Sequence, residues 1–260
     1  MIPISDSVRS RTTPYVNIAF ISINVLVFLY QFTLGTFPDP RSFLSELDLF
    51  FFDWGAIPAC LSDRFGFNPD TDPRALAFVC PDGGRVLATP ITSMFLHGGW
   101  LHLLGNMIFL WVFGDNVEDA MGHVRYAIFY VIVGLAAGAT HIFMNQNDII
   151  PAIGASGAVA GVLGAYLLLY PRATVAAILP IFILFLVPFR VPAVLLIGFW
   201  FLLQLFNGFA ALAATDVVGA GGGTAWFAHI GGFIAGLLLI RLFVIGRPRR
   251  ARLRVINPRW

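Results

Sequence analysis

Six apolar runs dominate this chain, at roughly 16–34, 100–114, 124–144, 154–170, 191–206 and 226–245. A helix needs about 20 apolar residues to cross a bilayer, slightly fewer where its ends snorkel or thin the lipid. Within lipid every backbone N–H and C=O must be satisfied inside the chain, and for runs of this length the helix does that. The balance of the whole sequence agrees. Its 260 residues are 58% hydrophobic and 12% charged, with a mean hydropathy of +0.82, whereas a soluble domain is about a quarter charged. The expected fold class is an all-α polytopic membrane protein, a bundle of six transmembrane helices.

A seventh apolar run, TVAAILPIFILFLVPF at 174–189, contains Pro180 and Pro188. Each proline removes a helix N–H donor, so this run is read as a membrane-embedded or surface-lying connection. Arg9 and Arg11 precede the first run as they would in a signal peptide. That run exceeds an ordinary signal-peptide core, however, and Gln31, Thr33 and Pro38 form no small-residue cleavage site. An uncleaved first helix is expected.

All 16 basic side chains are arginine. Six of them crowd RPRRARLRVINPRW at 247–260 without one acid, while residues 36–96 carry eight acids against four arginines. By the positive-inside rule both termini are cytoplasmic and the 36–96 loop lies outside. Two ends on one side require an even number of spans, which favours six over seven. The basic tail is read as this topology signal alone, in preference to nucleic-acid or specific lipid binding; the protein's expected partners include the lipid bilayer and no nucleic acid.

The expected organisation is a cytoplasmic segment 1–15, a membrane domain 16–246 and a basic cytoplasmic tail 247–260. Within the membrane domain, the outer loop 36–96 mixes Phe and Trp with Pro and acids, as suits a partly structured interfacial element. Cys60 and Cys80 both fall in this loop, where a disulfide is chemically allowed; sequence leaves their pairing open. The glycine-rich stretch 207–225 is a candidate lid between the last two helices.

Polar groups inside a bilayer are expensive and so mark functional sites. They gather in HGGWLHLLGN at 97–106, GASG at 154–157 and AHIGG at 228–232. With six spans, the second, fourth and sixth all run inward, and His102, Ser156 and His229 then lie at similar depth near the outer side. With seven, His229 would sit at the opposite face. His102 and Asn106, four apart, share a helix face. Gly157, Gly161 and Gly164 form a small-residue stripe in the fourth span, matched by His229, Gly232 and Gly236 in the sixth, so the two helices can approach closely.

A serine needs a base to become a nucleophile. The absence of lysine excludes a Ser-Lys dyad, which leaves His229 as the base for Ser156. Carboxylates have few suitable positions: Asp115, Glu118 and Asp119 end the second span, and Asp148 and Asp216 lie in loops. A dyad is therefore favoured over a triad. His102 and Asn106 can project N–H donors toward a developing oxyanion, joined by the Ser156 main-chain N–H. Taken singly, each residue has an ordinary structural role: GASG as a helix-packing motif, His229 as a bonded core residue, His102 and Asn106 as helix ties. His97 and His141 are read as interfacial and His123 as cytoplasmic, remote from the rest. Their conjunction at one depth favours chemistry.

HGGWLHLLGN, GASG and AHIGGFIAG, in this order and in these helices, resemble the rhomboid family of intramembrane serine proteases, as does WVFGDNVED at the end of the second span. The resemblance covers nearly the whole chain from the first helix onward. It implies a six-helix rhomboid-like bundle, with Ser156 as nucleophile and His229 as general base. His102, Asn106 and the Ser156 N–H would stabilise the oxyanion. It further implies hydrolysis of peptide bonds in or beside transmembrane segments of membrane-protein substrates, without metal or cofactor, in a water-filled cavity open to the outside behind a lid. Two positions depart from the family pattern. Ala160 stands where some members place an aromatic that packs on the histidine, and the outer loop has no Trp-Arg pair.

The alternative class is a proteolytically inactive rhomboid-like protein that binds and escorts membrane clients, whose mark would be a missing serine or histidine. A transporter would scatter polar residues over several depths. The HExxH of zinc proteases and the paired aspartates of aspartyl types are absent from the sequence. The short N-terminal lead favours a bacterial or archaeal cell (inner) membrane over a mitochondrial or plastid one.

Overall fold

The computed structural model describes residues 1–39, 43–67, 76–77, 79–81, 83–182, 185–213 and 225–246. The basic tail 247–260 lies outside them, as does 214–224 of the expected lid.

The chain is mostly helical. In order along it are β1 (Ile2–Asp6), α1 (Tyr15–Gln31), α2 (Glu46–Trp54), α3 (Pro58–Arg64) and α4 (Thr89–Thr92). There follow α5 (Trp100–Met121), α6 (His123–Met144), α7 (Ser156–Leu169), β2 (Thr174–Phe182), β3 (Phe185–Pro192), α8 (Ala193–Ala213) and α9 (Trp226–Phe243). Among the described residues α6, α8 and α9 are long and apolar enough to cross a bilayer, and Thr89–Phe95 with α5 makes a fourth apolar unit bent by 93°. The shorter apolar helices α1 and α7 occupy the first and fourth expected runs.

α1 buries Asn17, Asn24, Phe28 and Gln31 while Leu26, Leu29 and Tyr30 are exposed. Its protein-facing side thus carries the helix's buried amides beside Phe28, an arrangement suited to a helix whose other face meets lipid. Pro14 gives α1 no side-chain cap, and buried Glu118 takes its place by accepting the main-chain N–H of Val16 (3.1 Å) and Asn17 (2.7 Å), two of the donors any helix start leaves free. α5 passes through a π-helical turn at Leu110–Gly114. Asn17 Nδ2 donates to the Leu110 carbonyl at 2.9 Å and Asn17 Oδ1 accepts from the Tyr126 hydroxyl at 2.8 Å, so the turn's altered backbone bonding is met by a side chain from α1.

The packed centre is formed by α6, α7 and α9. A Cβ on Gly232 or Gly236 of α9 would overlap the carbonyls of Gly157 and Gly161 of α7, and a Cβ on Gly164 would overlap the Phe233 carbonyl. This is the close approach that the two glycine stripes predicted. The structure adds a third partner: Gly157 and Gly161 also face Ala137 and Val133 of α6, so these two glycines admit α6 as well as α9. α7 is buried along nearly all its length.

The run at 174–189 is not helical. β2 and β3 form an antiparallel hairpin, and β1 adds to β2 in the sheet order β1-β2-β3. This corrects the all-α expectation by one small sheet. Pro180 pairs with Leu186 in register, beyond Ile178 where β1 ends, and Pro188 lies on edge strand β3, positions at which a missing ladder donor is tolerated. The sheet brings together the chain start, the end of α7 and the start of α8. Arg125, early in α6, donates to the carbonyls of Phe243, the last residue of α9, and Ile245 just beyond it, so these elements also meet at one end of the molecule.

At the other end, the described residues between 43 and 95 build a small unit of their own around Ala56, Ile57, Ala59, Leu61, Leu76 and Val86, seated on Ile142. Ser45 and Asp48 form a capping box at α2, and the Ser45 hydrogen bonds hold the Asp48 carboxyl below the usual carboxylate range. Cys60 and Cys80 are joined in a disulfide with their Cα atoms 5.6 Å apart. The unit is tied to the strand leading into α7: Ala59 N–H donates to the Asp148 carbonyl, and Ala56 and Ala152 exchange both main-chain bonds.

Candidate active site

Gly154 N–H donates to the Ser93 carbonyl (2.8 Å), and Gly154 itself sits at φ +125°, a conformation that L side chains rarely adopt. That turn sets Ser156 as the first residue of α7. Its main-chain N–H therefore has no acceptor within the helix, and it points its share of the helix dipole at whatever lies in front.

The Ser156 Oγ lies 2.7 Å from His229 Nε2. His229 is the fourth residue of α9 and is buried, brought there by the Gly157–Gly232 contact one helical turn below. Its Nδ1 lies 2.8 Å from Gln204 Oε1 of α8. The His229 ring has Trp200 at 5.8 Å and Trp226 at 6.4 Å between ring centroids. Trp200 of α8 thus supplies the aromatic neighbour that Ala160 does not.

His102 and Asn106 share the inner face of α5 as their spacing predicted. Gly98 N–H donates to His102 Nδ1 at 3.5 Å, which leaves the proton of the neutral ring on Nε2. This Nε2 faces the serine turn: a Cβ on Gly154 would lie 2.7 Å from it and 3.7 Å from Ser156 Oγ. Asn106 Nδ2 lies 3.0 Å from His97 Nε2, which engages one of its two hydrogens. His97, expected at the interface, is buried, and its main chain exchanges two bonds with the Gln31 side chain of α1.

These groups border one cavity of about 740 Å³. His102, Asn106, Ser156 and His229 lie on it beside the apolar Leu101, Phe109, Val159 and Leu163. His141, read as interfacial, and Asp148 also border it. His123 is at the opposite end, bonded to Glu118 at 2.5 Å, remote as expected. Of the lid expectation, residues 207–213 belong to α8; the remainder falls mostly outside the described residues. The arrangement brings a hydroxyl, an imidazole and three N–H donors around one space within an apolar bundle, the components that acyl transfer requires.

Sequence reasoning missed Gln204, and the signal was present. It is the one amide or charged side chain in the 191–206 run, the kind of intramembrane polar residue that marks a site. Asn17 and Gln31 were missed for the same reason.

A Rhomboid domain model matches residues 85–245, more than half of the chain. The chain belongs to the rhomboid family. The match takes in α5 to α9 and so all four candidate residues, and this rhomboid is a multi-pass membrane protein. It is similar to RHOMBOID-like protein 1 of Arabidopsis thaliana, 30% identical over 158 residues, which are 61% of this chain and 34% of that protein. Rhomboid protein 1, mitochondrial, of Saccharomyces cerevisiae is 30% identical over 155 residues, 57% of this chain and 39% of the relative. RHOMBOID-like protein 5 of Arabidopsis thaliana is 40% identical over 77 residues, 30% of this chain and 25% of the relative. The matched stretches thus span between a quarter and two-fifths of these relatives' lengths.

Proposed function

We propose that this rhomboid is an intramembrane serine endopeptidase that hydrolyses peptide bonds in or next to transmembrane segments of membrane-protein substrates. The observation that carries the reading is the 2.7 Å contact of Ser156 Oγ with His229 Nε2, on a cavity that also holds the donors His102 and Asn106. Ser156 attacks the scissile carbonyl as its proton passes to His229 Nε2. Negative charge growing on the carbonyl oxygen is received by the Ser156 N–H, His102 Nε2–H and the second Asn106 N–H. His229 then returns the proton to the leaving amine, and water in the cavity hydrolyses the acyl-enzyme by the same route.

In this reading six helical segments cross the cell (inner) membrane with both termini cytoplasmic. The alternating ends of the apolar helices support it, as does the hairpin, which connects α7 to α8 at one end of the molecule. Arginines 125 and 241 lie at that same end.

The test is fluorophosphonate labelling of the purified protein with mass mapping of the modified residue, beside cleavage of a model transmembrane substrate. Label on Ser156, and loss of cleavage in Ser156→Ala and His229→Ala, are expected. Cleavage retained by purified Ser156→Ala would overturn the assignment of the nucleophile, and a wild-type protein that neither cleaves nor labels would favour a client-binding role.

A further inference from the structure

We propose that Gln204 is the positioning residue for His229, holding its ring in the tautomer and orientation that let Nε2 accept the serine proton. The inference rests on the serine-protease reading above.

Gln204 stands alone as a polar side chain in VPAVLLIGFWFLLQLF. A buried amide in apolar surroundings costs free energy unless its atoms are bonded, and here both ends are used. Its Nε2 donates to the Trp200 carbonyl, one turn back on α8, at 3.3 Å. Its Oε1 lies 2.8 Å from His229 Nδ1. The first contact fixes the second: a main-chain carbonyl accepts only, so the amide nitrogen must face Trp200 and the oxygen must face the ring. An amide oxygen likewise accepts only, so Nδ1 carries the hydrogen. In a neutral imidazole the lone pair is then on Nε2, the atom 2.7 Å from Ser156 Oγ. Without an acceptor at Nδ1 the ring could equally protonate Nε2, and that tautomer cannot take the serine proton.

In serine hydrolases of soluble folds a buried carboxylate holds the histidine in this way. Here the one carboxylate bordering the cavity among the described residues is Asp148, which accepts the Ile150 N–H at 2.9 Å. A neutral amide gives the same tautomeric instruction without burying a charge at membrane depth. The two partners belong to α8 and α9, so the bond exists only while these helices are seated together, and the Trp200 ring, on the same helix as Gln204, packs on His229 at the same time.

The rival role is a simple helix tie, and acceptor chemistry separates the two. Gln204→Met keeps the length of the side chain and removes the oxygen; Gln204→Glu keeps an oxygen at the same reach, ionised or protonated. With the purified full-length protein and a model transmembrane substrate, Gln204→Met is expected to lower kcat on the order of 10²-fold, the cost of misplacing a reacting group by about an ångström. KM should stay within about twofold, Ser156 fluorophosphonate labelling should slow in parallel, and Gln204→Glu should retain most of the rate. Wild-type kcat in Gln204→Met, equal losses in both variants, or a loss confined to KM would overturn the proposal. Imidazole ¹⁵N NMR of the wild-type protein judges it without any variant: a protonated Nδ1 on His229 is expected, and a protonated Nε2 overturns it. A wild-type protein that neither cleaves nor labels would instead sink the protease reading, leaving the tautomer measurement to decide the role of Gln204.

Discussion

The Cα of Gly232 lies so close to the carbonyl of Gly157 that no methyl group fits between them. One turn above this contact, Ser156 and His229 are within hydrogen-bond distance. The spacing of α7 and α9 and the distance from Ser156 to His229 are therefore one geometric fact. Small residues set the helix separation, and that separation sets how the hydroxyl meets the imidazole.

Gly232→Ala should therefore act at a distance from the serine. The added methyl meets backbone, which cannot swing aside as a side chain could, and overpacking of this kind costs about 1–3 kcal/mol. Thermal denaturation in detergent should show the lowered stability, and the rate of fluorophosphonate labelling should fall as Ser156 and His229 part. Unchanged labelling would separate packing from reactivity.

Gly154→Ala meets two obstacles. Its φ of +125° disfavours any side chain, a strain of about 1–3 kcal/mol, and the new Cβ would press on His102 Nε2. Cleavage is expected to fall more than stability does, because the nearest group displaced is His102, the proposed oxyanion donor. Substrate turnover measured beside a melting curve checks this.

Removing one oxyanion donor at a time, by His102→Ala or Asn106→Ala, should lower kcat by roughly 10 to 1000-fold with KM little changed. His97→Leu should have a smaller effect in the same direction, since its ring engages Asn106 without bordering the cavity. Wild-type turnover in Asn106→Ala would take that residue out of the role.

Breaking the Cys60–Cys80 link with paired serines should destabilise the outer unit by about 3 kcal/mol, the closure entropy expected for a loop of this size. The unit bonds to residues 148 and 152 ahead of α7, so KM for a transmembrane substrate should rise as well. Melting and kinetics with and without reductant give both readings.

Much of this molecule was legible in one dimension. Apolar run length placed the chain in a bilayer, because the requirement to satisfy backbone groups in lipid is local and leaves the helix as the solution. His102 and Asn106 were matched by their spacing of four, and the glycine stripes by spacings that put them on one face. Ser156 and His229 were paired because alternating helix direction puts them at one depth.

Other features depended on partners far away in sequence. The run at 174–189 is apolar and broken by two prolines, a pattern that periodicity cannot assign between helix and strand; pairing with Ile2–Asp6 decided it. Gln204 carries no local mark of its partner, since nothing along α8 says which of its faces meets α9. The same holds for Asn17, whose bond to Leu110 answers a π-helical turn more than 90 residues away. Composition and period therefore determined the solvent of this protein and which segments enter it, because those follow from each segment's own transfer free energy. The tertiary structure alone decided which helix faces meet, and with them what lies on the far side of the histidine, because that depends on how closely three glycine-bearing helices can pack.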